Sequence, residues 1–184
     1  MPTAEEEIVL ITIDQLKKII PYAGSRVGVF LAPLNDAMTE FGIDTPARQA
    51  AFLAQVAHES GSLRYVREIA EGSAYEGRVD LGNTELGDGP RFKGRGLIQI
   101  TGRTNYRTCS KALYGDDETL QLHPELLEDV VPACRSAAWF WWSHGLNSAA
   151  DAGDFRKISL VINGGFNGYD ERLAYYQRAK TVLA

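Results

Sequence analysis

Two glutamates lie close together in the segment VAHESGSLRYVREIAEG, and acid–base chemistry needs such a pair. Glu59 ends an apolar stretch, and Glu68 follows nine positions later. A carboxyl surrounded by apolar groups resists ionisation and can keep its proton as a general acid. A second carboxyl in a wetter setting stays ionised and can act as a base. The pattern makes Glu59 a candidate acid and Glu68 a candidate base.

Cleavage of a glycosidic bond with inversion uses two such carboxyls, about 6.5–9.5 Å apart so that a water molecule fits between them. A structural role is also open, because Glu68 has Arg64 and Arg67 close by as ion-pair partners. Glu71 and Glu76 lie near as alternative bases. The residues alone therefore indicate acid–base chemistry and leave the identity of the base open.

Other catalytic patterns are missing from the sequence. HESGS differs from the HExxH zinc motif, because Ser62 stands where the second histidine is needed. His123 and His144 show no metal-ligand spacing with His58, and the sequence contains no GxSxG or GK[ST] motif. We therefore expect neither a metal nor a cofactor.

The composition is that of an ordinary globular protein, with 184 residues, 45% hydrophobic, 23% charged and a net charge of −5. Phosphate binding needs clustered lysines and arginines, so we expect no nucleic-acid partner. The apolar run over residues 8–13 is too short to cross a bilayer, so we expect no stable membrane insertion. Cys109 and Cys134 are interpreted as reduced core thiols, with a single bridge as the alternative.

A mostly helical chain must position the two glutamates. The third predicted helix has the clearest start, because Thr45 can cap it and Pro46 occupies the first helical position. Phe52, Val56 and Glu59 then follow at i, i+4 and i+7, on one face of the helix. Glu59 is thus predicted to lie on the apolar face, at the end of the helix.

One loop interrupts the predicted helices. Residues 72–96 contain seven glycines and little periodicity, so they are predicted to form a loop, with a short hairpin as an option. LIQIT, residues 97–101, fits a short strand or the start of a buried helix. Helical spacing predicts further helices over residues 13–20, 27–41, 106–113, 124–129, 132–143, 155–162 and 171–183.

Three segments resemble, in order, the motifs of glycoside hydrolase family 19, and most closely its phage endolysin branch. They are AHESGSL, FKGRGLIQITGRTNY and SLVINGGFNGYDERLAYY, and the match covers about residues 46–176. The second motif, with its GRG-x-IQ-x-T pattern, is the most specific. The resemblance implies one mainly α domain over residues 1–184, with a lysozyme-like fold and a long cleft. Residues 102–131 are expected to form a small second helical lobe facing that cleft.

The resemblance also implies roles for individual residues. Glu59 corresponds to the acid that protonates the leaving oxygen, and Glu68 to the base that activates water. Thr101 corresponds to the hydroxyl that helps to hold this water. Gln99 and Asn163 correspond to residues that bind N-acetyl sugars.

Three more residues are candidate substrate contacts. Arg172 corresponds to a late arginine of the groove, His58 precedes the acid in its motif, and Tyr106, in the NY pair, could stack on a sugar face. In the plant chitinases that the motifs also resemble, the second acid lies much further from the first. Those chitinases also carry a disulfide framework and a secretory signal. These differences favour the endolysin branch.

We therefore predict a cofactor-free endolysin that hydrolyses β-1,4 bonds of peptidoglycan glycan strands as a monomer. The acidic start, MPTAEEEIVLITIDQ, lacks the basic segment of a secretory signal. We accordingly expect synthesis in the host cytoplasm and action on the cell wall after release. The alternatives are a chitinase, a lytic transglycosylase that cleaves the same bond without water, and a wall-binding module that has lost catalysis.

Overall fold

The computed structural model describes residues 10–184, and this part of the chain is mainly α, as predicted. No helix within it is both long and apolar enough to span a bilayer. The α-helices of the described chain are α1 (Ile13–Ile19), α2 (Arg26–Glu40), α3 (Pro46–Glu59), α4 (Asp88–Arg91), α5 (Arg103–Tyr114), α6 (Thr119–Leu122), α7 (Val130–Ser143), α8 (Leu146–Asp151), α9 (Phe155–Asn163) and α10 (Tyr169–Leu183). Short 3₁₀ helices cover Ser73–Tyr75, Val79–Leu81 and Pro124–Glu128.

The helix starts follow the sequence signals. Thr12 and Gln15 form a capping box at α1, in which each side chain accepts a hydrogen bond from the other residue's backbone N–H, at 3.2 and 2.8 Å. The Thr45 hydroxyl accepts from the N–H of Arg48 at 3.3 Å, and Pro46 is the first residue of α3. These side chains satisfy N–H groups that have no partner inside the helix. The start predicted for α3 is confirmed, and α1 begins at Ile13, as the predicted helix over residues 13–20 does.

Helix α3 runs through the main core. Residues 49–57 are all buried, and α3 packs against α10 while α2 packs against α7. A helix buried on every side must lie inside the protein rather than on its surface. Glu59 is the last residue of this helix, at the point where the chain leaves the core.

A second cluster of buried side chains joins the end of the glycine-rich loop to α5, α6 and α7. Trp139 belongs to this second cluster and Trp141 to the main core, so α7 lies between the two. The members of the second cluster are Phe92, Ile100, Tyr106, Cys109, Leu113, Leu120, Leu127 and Trp139.

The two cysteines are buried and free, so the alternative of a bridge is not realised. Burial raises the pKa of the Cys109 thiol to about 12 and also raises the pKa of the Cys134 thiol. Both thiols therefore stay protonated near neutral pH, and neither is an activated nucleophile.

Residues 60–102 depart most from the prediction. The glycine-rich loop contains two 3₁₀ helices and α4 instead of a hairpin. LIQIT forms neither a strand nor a helix, because residues 96–99 make a turn in which Gln99 has a φ of +59°. The predicted helix over residues 124–129 is a 3₁₀ helix, and the short α6 and α8 were not predicted. Elements of one turn carry too little periodicity to be recognised from sequence.

Candidate active site

The carboxyl of Glu59 lies against a buried guanidinium. Its side chain is 18% exposed, and Nη2 of Arg172, from α10, donates a hydrogen bond to its Oε1. Apolar neighbours alone therefore do not define the setting of Glu59, contrary to the sequence-based expectation. Arg172 itself is 2% exposed. The prediction that Arg172 contacts substrate in the groove is wrong, because its guanidinium is enclosed and directed at Glu59.

Two further polar contacts join the end of α3 to α10. Nδ1 of His58 lies 2.7 Å from Oε2 of Glu171, and the hydroxyls of Ser62 and Tyr175 are 2.9 Å apart. The His58 ring also packs on Gly168, where an added Cβ would come within 2.3 Å of ring atom Cε1. His58 is thus held by α10, with its side chain 20% exposed.

The chain reverses direction directly after Glu59. Gly61, Ser62 and Leu63 all have positive φ, at 54°, 62° and 63°. For serine and leucine this conformation costs about 1–3 kcal/mol each and needs support from the surroundings. The Ser60 hydroxyl gives that support by accepting from the N–H of Leu63 at 2.8 Å. The chain then continues from this reversal to Glu68.

Short backbone pairings bring Glu68 next to the IQIT segment. The N–H of Glu68 donates to the carbonyl of Gly94 at 3.0 Å, and that of Gly96 to the carbonyl of Val66 at 2.8 Å. Arg95 and Ile100 exchange hydrogen bonds of 3.1 and 2.7 Å. Three chain segments are therefore paired side by side, with Glu68 on the first and IQIT on the third.

Three polar side chains converge above Gly94. A Cβ added to this glycine would lie 2.6 Å from Oε1 of Gln99, 2.9 Å from Oε2 of Glu68 and 3.3 Å from Oγ1 of Thr101. Only a residue without a side chain leaves this space open. Gln99 and Thr101 were expected to share one side of an extended segment; they converge although the segment is a turn.

One oxygen of Glu68 is held, and the other has no partner. The Tyr75 hydroxyl donates to Oε2 at 3.0 Å, whereas Oε1 is buried without a hydrogen-bond partner among the described residues. Burial, and next the hydrogen bond to Glu68, raise the pKa of Tyr75, so the phenol remains a donor. Arg67 pairs with Glu128 at 3.3 Å, and within residues 10–184 Glu68 forms no ion pair. The interpretation of Glu68 as a salt-bridge partner is therefore not supported.

The two alternative bases have other surroundings. The oxygens of Glu76 accept from the N–H groups of Gly87 and Gly89 at 2.7 and 2.8 Å, so this carboxylate holds the glycine-rich loop together. Glu71 is exposed. Of these three acids, Glu68 is the one that faces Thr101.

The two remaining predicted substrate contacts differ in whether their polar atoms already have hydrogen-bond partners. Nδ2 of Asn163, at the end of α9, is a buried donor without a partner in the described part of the chain. Tyr106 is fully buried in the second cluster, and its hydroxyl donates to the carbonyl of Lys93 at 2.6 Å and accepts from Arg95 at 3.0 Å. The prediction that Tyr106 stacks on a sugar is wrong, because the face of α5 that carries it packs into a core.

One pocket opens beside the predicted base. It has a volume of about 420 Å³ and is lined by Glu68 together with Tyr65, Arg67 and Lys93 among others. A larger pocket of about 590 Å³, around Arg103, contains none of the predicted site residues. Among residues 10–184, no group of three or more histidine, cysteine or acidic side chains is arranged to hold a metal ion.

Sequence reasoning missed one polar residue of this site, Gln55. It is fully buried on α3, one turn before Glu59, and its Oε1 accepts from Nη1 of Arg172 at 2.5 Å. The available signal was an amide at i−4 from the acid, inside an otherwise apolar segment.

A helical protein that presents one glutamate at the end of a buried helix, and a second beside a threonine and a glutamine, has the fold and site of a lysozyme-like glycoside hydrolase. No family model matches the chain. It is 30% identical over 191 residues to a glycosyl hydrolase family 19 domain-containing protein of Haemophilus influenzae, covering 87% of this chain and 90% of that protein. The chain belongs to glycosyl hydrolase family 19 and is a chitinase-like glycoside hydrolase.

Other similar proteins are chitinases. Endochitinase CHI of Arabidopsis thaliana is 38% identical over 161 residues, which are 80% of this chain and 56% of that enzyme. The chain thus spans little more than half of this plant relative. Chitinase C of Streptomyces griseus has the same fold, with a TM-score of 0.75 at 24% identity over 98% of this chain and 95% of that one. The predicted family, lysozyme-like fold and enzyme class are confirmed.

Proposed function

We propose that the chain hydrolyses β-1,4 bonds of peptidoglycan with inversion, with Glu59 as general acid, Glu68 as general base and Thr101 positioning the water. The observation that carries the proposal is the convergence of Glu68, Gln99 and Thr101 above Gly94. A carboxylate beside a hydroxyl is the arrangement that activation of water needs.

The surroundings of Glu59 suit an acid that gives up its proton during the reaction. Glu59 ends α3, and the negative end of a helix dipole disfavours a carboxylate. Arg172 acts in the opposite direction, because its guanidinium stabilises the negative charge that appears as the proton leaves. Arg172 is thus placed to stabilise the carboxylate that remains once the leaving oxygen has taken the proton.

The hydrogen bonds around Glu68 define how a water would bind. Thr101 donates its own proton to the carbonyl of Gln99 at 3.0 Å, so its oxygen can only accept from a water. Oε1 of Glu68 is an acceptor without a partner among the described residues. A water that donates to the Glu68 carboxylate and to the Thr101 oxygen keeps a lone pair for attack on the anomeric carbon. Glu68 then takes the water's proton as the carbon–oxygen bond to the leaving sugar breaks.

Substrate binding falls to the remaining polar groups. We assign the unpartnered Nδ2 donor of Asn163 and the amide of Gln99 to the N-acetyl groups of the sugars. His58, fixed by Glu171, is assigned a contact at the acid end of the site. A buried donor without a partner is costly, and a substrate carbonyl would satisfy it.

Two polymers contain the bond in question. Peptidoglycan is favoured by the resemblance of the three motifs to the phage endolysin branch. Chitin is the second candidate, because the named enzymes among the relatives and the solved structures are chitinases. We also propose that the protein acts as a monomer on the cell wall after release from the host cytoplasm, and that residues 102–131 form a lobe facing the cleft.

The proposal is tested by digesting purified peptidoglycan and N-acetylglucosamine oligomers in parallel and analysing the products by mass spectrometry. Hydrolysis adds one water to each cleaved bond, whereas a lytic transglycosylase leaves an anhydro sugar. We expect hydrolytic products from peptidoglycan at a higher rate than from the oligomers. Faster cleavage of the oligomers would establish the chitinase instead, and no cleavage of either would support a binding module.

The residue assignment is tested with Glu59→Gln and Glu68→Gln, which keep the shape of each side chain. Each is expected to reduce kcat by about 10²–10⁴-fold, the usual contribution of general acid–base catalysis. The matched control is Glu71→Gln, an exposed acid near Glu68, which should retain the wild-type rate. Wild-type rates in Glu59→Gln, or a larger loss in Glu71→Gln than in Glu68→Gln, would contradict the assignment.

A further inference from the structure

A buried chain of hydrogen bonds leads from α9 to the carboxyl of Glu59. Ser159 on α9 accepts from Nε2 of Gln55 at 2.9 Å, and Oε1 of Gln55 accepts from Nη1 of Arg172 at 2.5 Å. Arg172 in turn donates to Glu59 through Nη2. Ser159 and Gln55 are 0% exposed. Three helices thus meet in one polar line inside an otherwise apolar core.

Ser159, on α9, determines which group donates and which accepts in each of these hydrogen bonds. The Ser159 hydroxyl donates its only proton to the carbonyl of Phe155 at 3.0 Å, so towards Gln55 its oxygen can only accept. The amide of Gln55 must therefore present its NH₂ to Ser159 and its carbonyl oxygen to Arg172. A flipped amide would point its NH₂ at the guanidinium and leave buried donors unsatisfied.

Gln55 also determines which nitrogen of the Arg172 guanidinium donates a hydrogen bond to Glu59. With Nη1 bound to Gln55 and Nε 3.4 Å from the carbonyl of Asn167, Nη2 is left for the carboxyl. Without the Gln55 oxygen, the buried Nη1 would need another acceptor, and the nearby carboxylate of Glu59 is the best one available. The guanidinium would then turn and move the carboxyl with it.

We propose that Gln55 is a positioning residue of this enzyme: through Arg172 it fixes the orientation from which Glu59 delivers its proton. The inference rests on the proposed role of Glu59 as general acid. Gln55 touches no reacting atom, so its effect must appear as a change in the chemical step and not in substrate binding.

The test compares Gln55→Met with Gln49→Met, using whichever of the two glycans the wild type cleaves. Gln49 is a second buried glutamine of α3, 2% exposed, so the control makes the same side-chain change in the same helix. We expect Gln55→Met to lower kcat by about 10²-fold with KM unchanged, as for a misplacement of about 1 Å in a catalytic group. Gln49→Met should keep the wild-type kcat per folded molecule.

The pH profile of kcat/KM provides a readout that a purely structural role would not move. In Gln55→Met the guanidinium turns wholly to Glu59 and favours its ionised form, so the alkaline limb should shift to lower pH. In Gln55→Glu a second carboxylate competes for Arg172 and repels the charge of Glu59, so the same limb should shift to higher pH. The other ionisable groups beside Glu59, His58 and Glu171, contact each other and remain unchanged.

The outcomes distinguish a failure of the proposed function from a failure of the positioning role of Gln55. An inactive wild type, or a fully active Glu59→Gln, removes the proposed function itself. An active wild type and an inactive Glu59→Gln, together with equal kcat in Gln55→Met and Gln49→Met, overturn the positioning role alone. If Gln55→Met does not fold, the nearly isosteric Gln55→Glu decides, because an unmoved alkaline limb in that variant also overturns the role.

Discussion

At the scale of single residues, the two glutamates differ in what holds them. Glu59 is bound by a buried cation, which favours its charged form after proton transfer. Glu68 is bound by the neutral phenol of Tyr75 on one oxygen, while its second oxygen has no partner among residues 10–184. A neutral donor fixes a carboxylate without neutralising it. The two glutamates thus differ in the charge of the group that holds them, a guanidinium for Glu59 and a phenol for Glu68.

Replacing Tyr75 by phenylalanine tests whether its hydrogen bond positions Glu68, the proposed base. Loss of one hydrogen bond to a charged group, about 1.5 kcal/mol, should lower kcat about tenfold. The control is Tyr65→Phe. Tyr65 lines the pocket beside Glu68, but its ring contacts Arg64. Steady-state kinetics check this prediction, and equal rates for the two variants would show that Tyr75 does not position Glu68.

At the scale of elements, polar contacts attach the glycine-rich loop to α5. Asp88, 1% exposed, accepts two hydrogen bonds from Arg103 at 2.6 and 2.9 Å. Asn83 accepts from the N–H of Arg103 at 2.8 Å and donates to the carbonyl of Tyr75 at 2.9 Å. Arg103 thereby fixes the loop that carries Tyr75. Glu68, the proposed base, is therefore positioned by this attachment as well as by Tyr75.

The ion pair between Asp88 and Arg103 makes the stability of the protein depend on pH. The hydrogen bond from Arg103 holds the pKa of Asp88 below its usual range, so the folded state binds fewer protons than the unfolded state near pH 3–4. Its stabilisation is therefore present above the unfolded pKa, about 3.9, and is lost as the pH falls through the lowered folded pKa.

Asp88→Asn should consequently lower the free energy of unfolding at pH 7 by about 1.5–3 kcal/mol. On acidification to pH 3, the free energy of unfolding of the variant should fall less than that of the wild type. Thermal denaturation at both pH values measures this. Asp80→Asn, an exposed aspartate of the same loop, is the control and should melt like the wild type. A wild-type melting temperature for Asp88→Asn at pH 7 would disprove the attachment.

At the scale of the whole molecule, α7 joins the two cores. Trp141 is fully buried against Phe52 of α3, with ring centroids 5.6 Å apart, and its Nε1 donates to Asn147 at 2.7 Å. Asn147 in turn donates to the carbonyls of Phe41 and Gly42, both at 3.1 Å. Trp141 and Asn147 together therefore connect the end of α2 with α3, α7 and α8.

Trp141→Phe should lower the free energy of unfolding by about 1.5–3 kcal/mol, because it leaves a cavity and an unpaired Asn147 oxygen. Catalysis at 25 °C should be unchanged, since Phe52 and Asn147, the partners of this side chain named above, have no role in the proposed site. Chemical denaturation combined with kinetics checks both parts. Trp142→Phe, at a position 57% exposed on the same helix, is the control and should have little effect on either.

Local patterns in the sequence were sufficient for much of the fold. Thr12 and Thr45 mark helix starts through hydrogen bonds that span three residues, and Pro46 fits the first helical position. The apolar spacing of α3 leads directly to Glu59. The resemblance of the motifs to family 19 then suggested Glu68 and Thr101 as partners for it. Such features are readable because they depend only on residues that are neighbours along the chain.

The packing of distant segments decided the rest. Arg172 meets Glu59 across 113 residues, and Tyr106 enters a core with Phe92 and Trp139 instead of facing a sugar. Gln99, Thr101 and Glu68 converge because backbone pairing brings three segments together over a glycine. Periodicity tells which face of a helix is apolar but not which neighbour that face will meet. The partner of each catalytic candidate is therefore a property of the folded chain, since only long-range contacts select it.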